Sequence, residues 1–175
     1  MEKLSFQLHS RFIISKIIVI AAIGKNNELG YKNNLIWKIK DDMKFFKENT
    51  TGHHVLMGLN TYHSLPKLLS NRVNMVLSNT DYKFPNEVVV LKSIKEALCR
   101  LNEIQDNVYI IGGASIYNQF INIADEIVLT EINDTFEMAD VYFPKFDKSR
   151  YKRIVLSENK TSNPSYKFVK YIKRD

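Results

Sequence analysis

Asp42 is the residue whose type and setting point most directly to chemistry. It opens the spacing Asp42, Phe45, Phe46, Asn49 and follows Trp37, the only tryptophan, by five positions. Residues at i, i+3, i+4 and i+7 share one face of a helix, so this acid keeps apolar company. A buried carboxylate must find donors or shift its pKa, and a carboxyl that holds its proton near neutral pH can do acid–base work. The plainer alternative makes Asp41 and Asp42 ordinary first-turn acids favoured by the helix dipole, and spacing alone does not separate the two.

Two other stretches could do chemistry. Ile110-Ile111-Gly112-Gly113-Ala114-Ser115 puts two glycines where a strand meets a helix. Bare backbone there lets a ligand approach closely, and a helix N-terminus offers free N–H groups; a tight turn needs glycine just as much. Arg72 opens a strand after Leu68-Leu69-Ser70-Asn71, where a guanidinium can grip a carboxylate with two prongs or simply sit in solvent. Neither a G-x-G-x-x-G fingerprint nor a P-loop is present, which excludes Rossmann and kinase-type nucleotide sites. His53, His54 and His63 lack metal-ligand spacing and His9 lies near the start, so no metal is expected. No serine elbow or reactive-cysteine setting occurs.

These residues must be positioned by the elements between them. Lys16 to Ile23 is a β-branched run of strand length, apolar enough for burial on both faces of a parallel sheet. A turn-rich loop runs from Gly24 to Trp37, long for a strand-to-helix connection and therefore a functional candidate. A helix starts near Lys40. His54 to Gly58, Arg72 to Ser78 and Glu87 to Leu91 read as strands, and Asn60 to Leu65 as a short helix capped by Asn60. Ser93 to Gln105 keeps helical period, and Cys99 falls on it as a structural residue. Asn107 to Ile111, a helix from Ala114 to Ile121, and a strand from Asp125 to Ile132 follow. Ile154 to Glu158 and Tyr166 to Ile172 form a closing hairpin. The fold expected is α/β, one domain with a mostly parallel central sheet of about eight strands flanked by helices and closed by a C-terminal antiparallel hairpin.

The chain has 175 residues, 45% hydrophobic and 25% charged, with a formal net charge of +6. That length suits one domain with a sizeable core. The charge could suggest a nucleic-acid partner, but the dense basic stretches, Lys148 to Arg153 and Lys167 to Arg174, alternate with apolar residues like the wet faces of two strands. A single cysteine excludes an internal disulfide and suits a reducing compartment. Lys16 interrupts the apolar stretch near the start, and no apolar run reaches membrane-spanning length. Residues 1 to 15 read as an extension without a clear role, and 16 to 175 as the domain.

Taken in order, the segments resemble dihydrofolate reductase across nearly all of Lys16 to Lys173. The pieces are Ile20-Ala21-Ala22, Leu29-Gly30 through Leu35-Ile36-Trp37, Asp42 to Lys47 with Thr50, Val55 to Gly58 with Asn60-Thr61-Tyr62, Arg72-Val73-Asn74, Ile111-Gly112-Gly113 with Ile116-Tyr117, Leu129-Thr130, and Tyr142-Phe143-Pro144. Each is weak alone; their order and spacing are highly specific.

The resemblance implies reduction of 7,8-dihydrofolate to tetrahydrofolate by hydride transfer from NADPH, in support of one-carbon and thymidylate metabolism. Asp42, Thr130 and Trp37 would form the catalytic set. Ile20, Ala22, Phe46, Leu65, Leu69, Ile111 and Tyr117 would line the substrate slot, with Arg72 on the glutamate carboxylate and Lys67 nearby. Ala22, Leu29, Gly30, Leu35, Gly58, Asn60, Thr61, Ser78, Asn79, Lys92, Gly112, Gly113, Ala114, Ser115, Ile116, Tyr117 and Gln119 would meet the cofactor, and the loop from Gly24 to Trp37 would be its lid. The family also has a cis bond between the two glycines. Leu59 and Ser115 depart from the basic residues usual there, which bears on NADPH over NADH, and Ile36 replaces the usual proline. A monomer in the cytoplasm, free of nucleic acid and membrane, is expected. The rival readings are a riboflavin-pathway pyrimidine reductase of the same fold and a basic nucleic-acid-binding domain.

Overall fold

The computed structural model describes residues 15–174; the expected extension, residues 1 to 15, lies almost wholly outside them. Eleven strands and four helices run in the order β1 (Ile17–Ile23), β2 (Glu28–Tyr31), β3 (Asn34–Leu35), α1 (Lys40–Thr50), β4 (His54–Gly58), α2 (Leu59–Ser64), β5 (Val73–Leu77), β6 (Val89–Leu91), α3 (Ile94–Glu103), β7 (Val108–Gly112), α4 (Ala114–Phe120), β8 (Glu126–Ile132), β9 (Val141–Tyr142), β10 (Tyr151–Asn159) and β11 (Tyr166–Lys173).

Eight strands form one sheet in the order β10-β11-β8-β1-β7-β4-β5-β6. All neighbours from β8 to β6 are parallel, while β11 is antiparallel to both β8 and β10. The mostly parallel sheet with its closing hairpin is as expected. Strand β7 inserts between β1 and β4, which follow one another along the chain among the strands of the large sheet, so the order reverses there, at a switch point of the kind where α/β sheets bind ligands.

Alternation along β1 explains the two cores. Val19 and Ile23 face a cluster with Leu56, Ile110 and Leu129, covered by α3 and α4 through Leu101, Ile116 and Phe120. Ile18 and Ile20 face the other side with Val55, Met57 and Val128, where Phe45 and Phe46 of α1 and Leu65 and Leu69 pack. Period-two alternation thus sends neighbouring residues of one strand to opposite layers.

Three local expectations change. The span from Gly24 to Trp37 is largely a hairpin rather than an irregular loop: β2 pairs with β3, and also with β9 from the far side of the chain. Its two connecting residues, Lys32 and Asn33, have φ of 49° and 59°, the positive values of a hairpin turn that normally carries Asn-Gly. Asn60 does not cap α2; the helix begins at Leu59 after Gly58 without a side-chain cap. Lys148 to Arg150 is a single 3₁₀ turn, so the basic strand starts only at Tyr151. Cys99 does lie on α3 but is exposed.

The connection 65–72 has no regular structure and is held by Asn74. This buried β5 residue accepts from Leu69 N at 3.2 Å and donates to Leu69 O at 2.9 Å and Arg72 O at 3.1 Å. Asn74→Leu fills the same space while leaving those backbone groups without their partner. Urea unfolding should show a loss of roughly 2–4 kcal/mol; a loss well under 1 kcal/mol would mean that apolar packing alone holds the connection.

Candidate active site

Asp42 enters the first turn of α1 without a capping side chain before it, since Ile39 occupies that position. Along the helix, Asp42, Phe45, Phe46 and Asn49 are partly covered and Thr50 is buried, whereas Asp41, Met43, Lys44, Lys47 and Glu48 are exposed. The covered stripe lies on the sheet at β8 and β11. Thr130 of β8, 2% exposed, donates its hydroxyl to Asp42 Oδ1 at 2.5 Å. One turn on, Phe45 stacks on Phe168, with ring centres 4.1 Å apart and planes 12° from parallel. In register, Ala22, Thr130 and Phe168 are neighbours across β1, β8 and β11.

Burial raises the Asp42 pKa above its ordinary value, and the Thr130 hydrogen bond opposes this only in part. A raised carboxyl in a crevice is the expected signature of a working acid. Tyr117, fully buried nearby, is pushed upward too, first by burial and then by the charge of Asp42. Its hydroxyl donates to Ile20 O at 2.8 Å.

The apolar residues come together as the sequence suggests. Ile20 lies in the α1-side core, and Phe46, Leu65, Leu69 and Ile111, partly buried, pack against it. Arg72 stands at the other end. Its Nε donates to Ser70 O and its guanidinium to Thr50 Oγ1, each at 3.0 Å. Among the described residues no carboxylate pairs with it, and partial burial lowers its pKa while leaving it a cation. Thr50 and Asp42 are eight residues apart on α1, on the order of 12 Å of helical rise. Lys67 is exposed on the same connection.

The second group gathers where β4 and β7 end. The Gly112–Gly113 peptide is cis, and Gly112 has a φ of +121°. A β-carbon on Gly112 would be strained whatever the space and would stand 3.3 Å from Thr61 Oγ1 and the Tyr117 ring. One on Gly58 would meet Ile116 at 3.0 Å. Bare backbone is therefore required along this edge, the property that a closely approaching pyrophosphate needs. Thr61 borders this edge, and Ala22, Leu29, Gly30, Thr61, Gly113 and Ala114 are all half-buried. Beyond them Ser78, buried, shares a hydrogen bond with Thr80 at 2.9 Å, and Lys92 Nζ donates to Thr80 O at 2.8 Å. Asn60, Asn79, Ser115 and Gln119 are exposed, as is Leu35. Two open depressions, about 440 and 380 Å³, lie beside Lys25 and beside Lys44, and neither contains Asp42, Arg72 or the glycines.

Trp37 makes no hydrogen bond to Asp42. Its Nε1 donates to Asp134 Oδ2 at 2.9 Å. The β2–β3 hairpin is tied to the segment 133–141 throughout: Lys32 N donates to Asp140 Oδ2 at 2.9 Å, Phe136 N to Glu28 Oε1 at 3.1 Å, and Tyr31 meets the Phe136 ring edge-on. Glu28, Asp134, Phe136 and Asp140 escape a reading of the sequence because their partners lie about a hundred positions away and carry no local periodicity.

A family model described as dihydrofolate reductase matches residues 16–173, which is nearly all of the chain. The chain belongs to the dihydrofolate reductase family. The Bacillus subtilis dihydrofolate reductase is 34% identical over 163 residues, covering 91% of this chain and 95% of that protein. The Neisseria gonorrhoeae enzyme is 36% identical over 162 residues, covering 90% and 98%. Among solved structures, the dihydrofolate reductase from Enterococcus faecalis complexed with NADP(H) and RAB-propyl superposes with a TM-score of 0.83 at 25% identity, covering 91% of this chain and 97% of that one.

The raised Asp42 pKa carries a stability consequence. Because the folded value lies above the unfolded one, ionising Asp42 costs stability; the cost appears as pH rises from the ordinary value of 3.8 through the folded value and persists above it. Asp42→Asn removes that cost, and Thr130 can turn to accept from the amide. Thermal unfolding should show the variant more stable than wild type at pH 7, with the gap closing below about pH 4. A less stable variant at pH 7 would show that Asp42 is held as a favourable ion.

Proposed function

We propose that Asp42, oriented by Thr130, is the acid–base centre of this dihydrofolate reductase and that Arg72 anchors the far end of its substrate. The chain catalyses reduction of 7,8-dihydrofolate to tetrahydrofolate with NADPH. The observation that carries the residue assignment is the apolar slot with a donor-poor carboxylate at one end and an unpaired guanidinium at the other.

The residues divide the task by chemistry. Asp42 has one oxygen committed to Thr130 and the other free for the amino and N3 edge of the pterin. Binding there supports protonation at the ring's N5, which makes the adjacent carbon easier to reduce. Ile20, Phe46, Leu65, Leu69 and Ile111 hold the flat rings and exclude water, which strengthens every polar contact in the slot. Arg72, fixed by Ser70 and Thr50, pairs with the glutamate carboxylate. Its Lys67 neighbour adds positive charge.

NADPH, when bound, supplies the hydride. The edge built by Gly58, Thr61, Gly112 and Gly113 fits its pyrophosphate because a β-carbon would fill that edge. Ser78, Asn60, Asn79 and Lys92 would face the adenosine end. Lys92 is the sole cation among these positions, Leu59 and Ser115 being neutral. Ala22, Leu29, Gly30 and the lid would enclose the nicotinamide end. The reading extends to a monomer that acts on a free small molecule in the cytoplasm.

Asp42→Asn should fold and lose about 10²–10⁴-fold in turnover near neutral pH, with partial recovery in acid where the substrate takes its proton from solvent. Oxidation of NADPH on addition of dihydrofolate, followed by absorbance, measures this; unchanged turnover at pH 7 removes Asp42 from the chemistry. Arg72→Leu should raise the dihydrofolate KM by about ten- to a hundredfold and leave kcat largely intact, since a charge-assisted pair far from the reacting carbon is lost. A pterin without the glutamate tail should be indifferent to that change. If both substrates suffer equally, Arg72 holds structure rather than ligand.

A further inference from the structure

Glu28 is the most buried charged side chain among the described residues, at 2% exposed, and the mechanism above does not use it. Its Oε2 accepts from Asn26 N at 2.8 Å and its Oε1 from Phe136 N at 3.1 Å, with the Asn26 amide adding a contact at 3.4 Å. No side-chain cation neutralises it among the described residues. Burial pushes its pKa up, but backbone N–H groups of Glu28, Phe136 and Asn26 outweigh this and hold it below the ordinary carboxylate range. The group is thus an ion solvated by backbone, and its donors come from two segments 108 positions apart in sequence.

The position of Trp37 depends on the same point. A β-carbon built on Gly24 would lie 2.4 Å from Glu28 Oε2 and 2.4 Å from Trp37 Cη2, so the carboxylate and the indole edge press on one bare α-carbon. Asp134 closes the group, its carboxylate taking Trp37 Nε1 and its carbonyl taking Lys25 N, both at 2.9 Å. The root of the lid, its tryptophan and the segment 133–141 meet around the Glu28 carboxylate.

We propose that Glu28 is a positioning residue for the reaction: by bonding both its own hairpin and Phe136, it seats Trp37 against Gly24 and holds the lid closed over the Asp42 site. Glutamine cannot substitute. Its amide has one acceptor oxygen, and its NH₂ would point at an N–H that needs an acceptor. Losing one charge-assisted bond should raise the open-lid population roughly tenfold or more. The part concerning turnover rests on the function proposed above, whereas the seating of Trp37 does not.

Because Trp37 is the only tryptophan, fluorescence of the full, ligand-free chain reports the lid directly. Glu28→Gln should show red-shifted emission and stronger acrylamide quenching at 25 °C, with an unchanged far-UV circular dichroism spectrum. Turnover should fall while the pH profile set by Asp42 keeps its shape. A merely structural role would lower the melting temperature without moving Trp37 quenching in the folded protein. Wild-type quenching in Glu28→Gln overturns the proposal. Should that variant fail to fold, Glu28→Asp keeps the charge but, one methylene shorter, cannot span both donors, and its quenching must also rise; wild-type quenching there overturns the proposal equally. A wild-type chain that does not oxidise NADPH with dihydrofolate would overturn the function and leave the fluorescence result standing.

Discussion

The hydrogen bond between Thr130 and Asp42 ties the acid itself to the central sheet, beside a second from Tyr166 of β11 to the neighbouring Asp41. Thr130 reaches Asp42 from β8, and β8 is hydrogen-bonded to β1 and β11 on its two sides. The position of Asp42 is therefore fixed by a strand buried on both faces rather than by a surface loop. Sites built on rigid elements hold their geometry better than sites built on loops. The stacking of Phe45 on Phe168 one turn later adds a third tie along the same line, so the helix can neither roll nor slide without breaking one of them. The apolar cluster on this side of the sheet begins where these ties leave off, on the face of β1 that Ile20 shares.

What the sequence made legible follows from what acts locally. Asp42, Phe45 and Phe46 were readable because helical spacing converts directly into a shared face, and β1, β4 and β8 because buried parallel strands are apolar runs. The glycine pair could be placed at a strand end, but only the positive φ of Gly112 and the atoms crowding its missing β-carbon separate a needed bare edge from an ordinary turn. The hairpin inside Gly24 to Trp37 was not legible. Lys32 and Asn33 lack the usual turn signature, and β2 is held as much by β9 as by β3. Propensity yields there to a tertiary pairing that no short window contains.

The same reasoning explains why the acids of 133–141 stayed hidden. Asp134 and Asp140 look like ordinary loop residues, yet each receives a hydrogen bond from the lid, one from the Trp37 indole and one from Lys32 N. Glu28 answers in the opposite direction by accepting from Phe136 N. Acceptors on both segments and donors on both segments make the joint reciprocal, so neither can shift alone. The hairpin is thus held by these reciprocal bonds as well as by Leu29, which packs against the main core.

Glu28 and Asp42, two carboxylates that folding withdraws from water, show how environment divides labour between identical chemical groups. Both lose water on folding, which by itself pushes both pKa values up. Glu28 recovers the loss through backbone N–H donors and ends below its ordinary range, with both oxygens engaged. Asp42 receives one hydroxyl, remains raised, and keeps an oxygen uncommitted. A carboxylate saturated with donors can hold structure but has nothing left to exchange, whereas one starved of donors is costly to bury and ready to trade a proton. Pairs of titratable groups whose surroundings drive them apart mark out the acid–base assignments of a site.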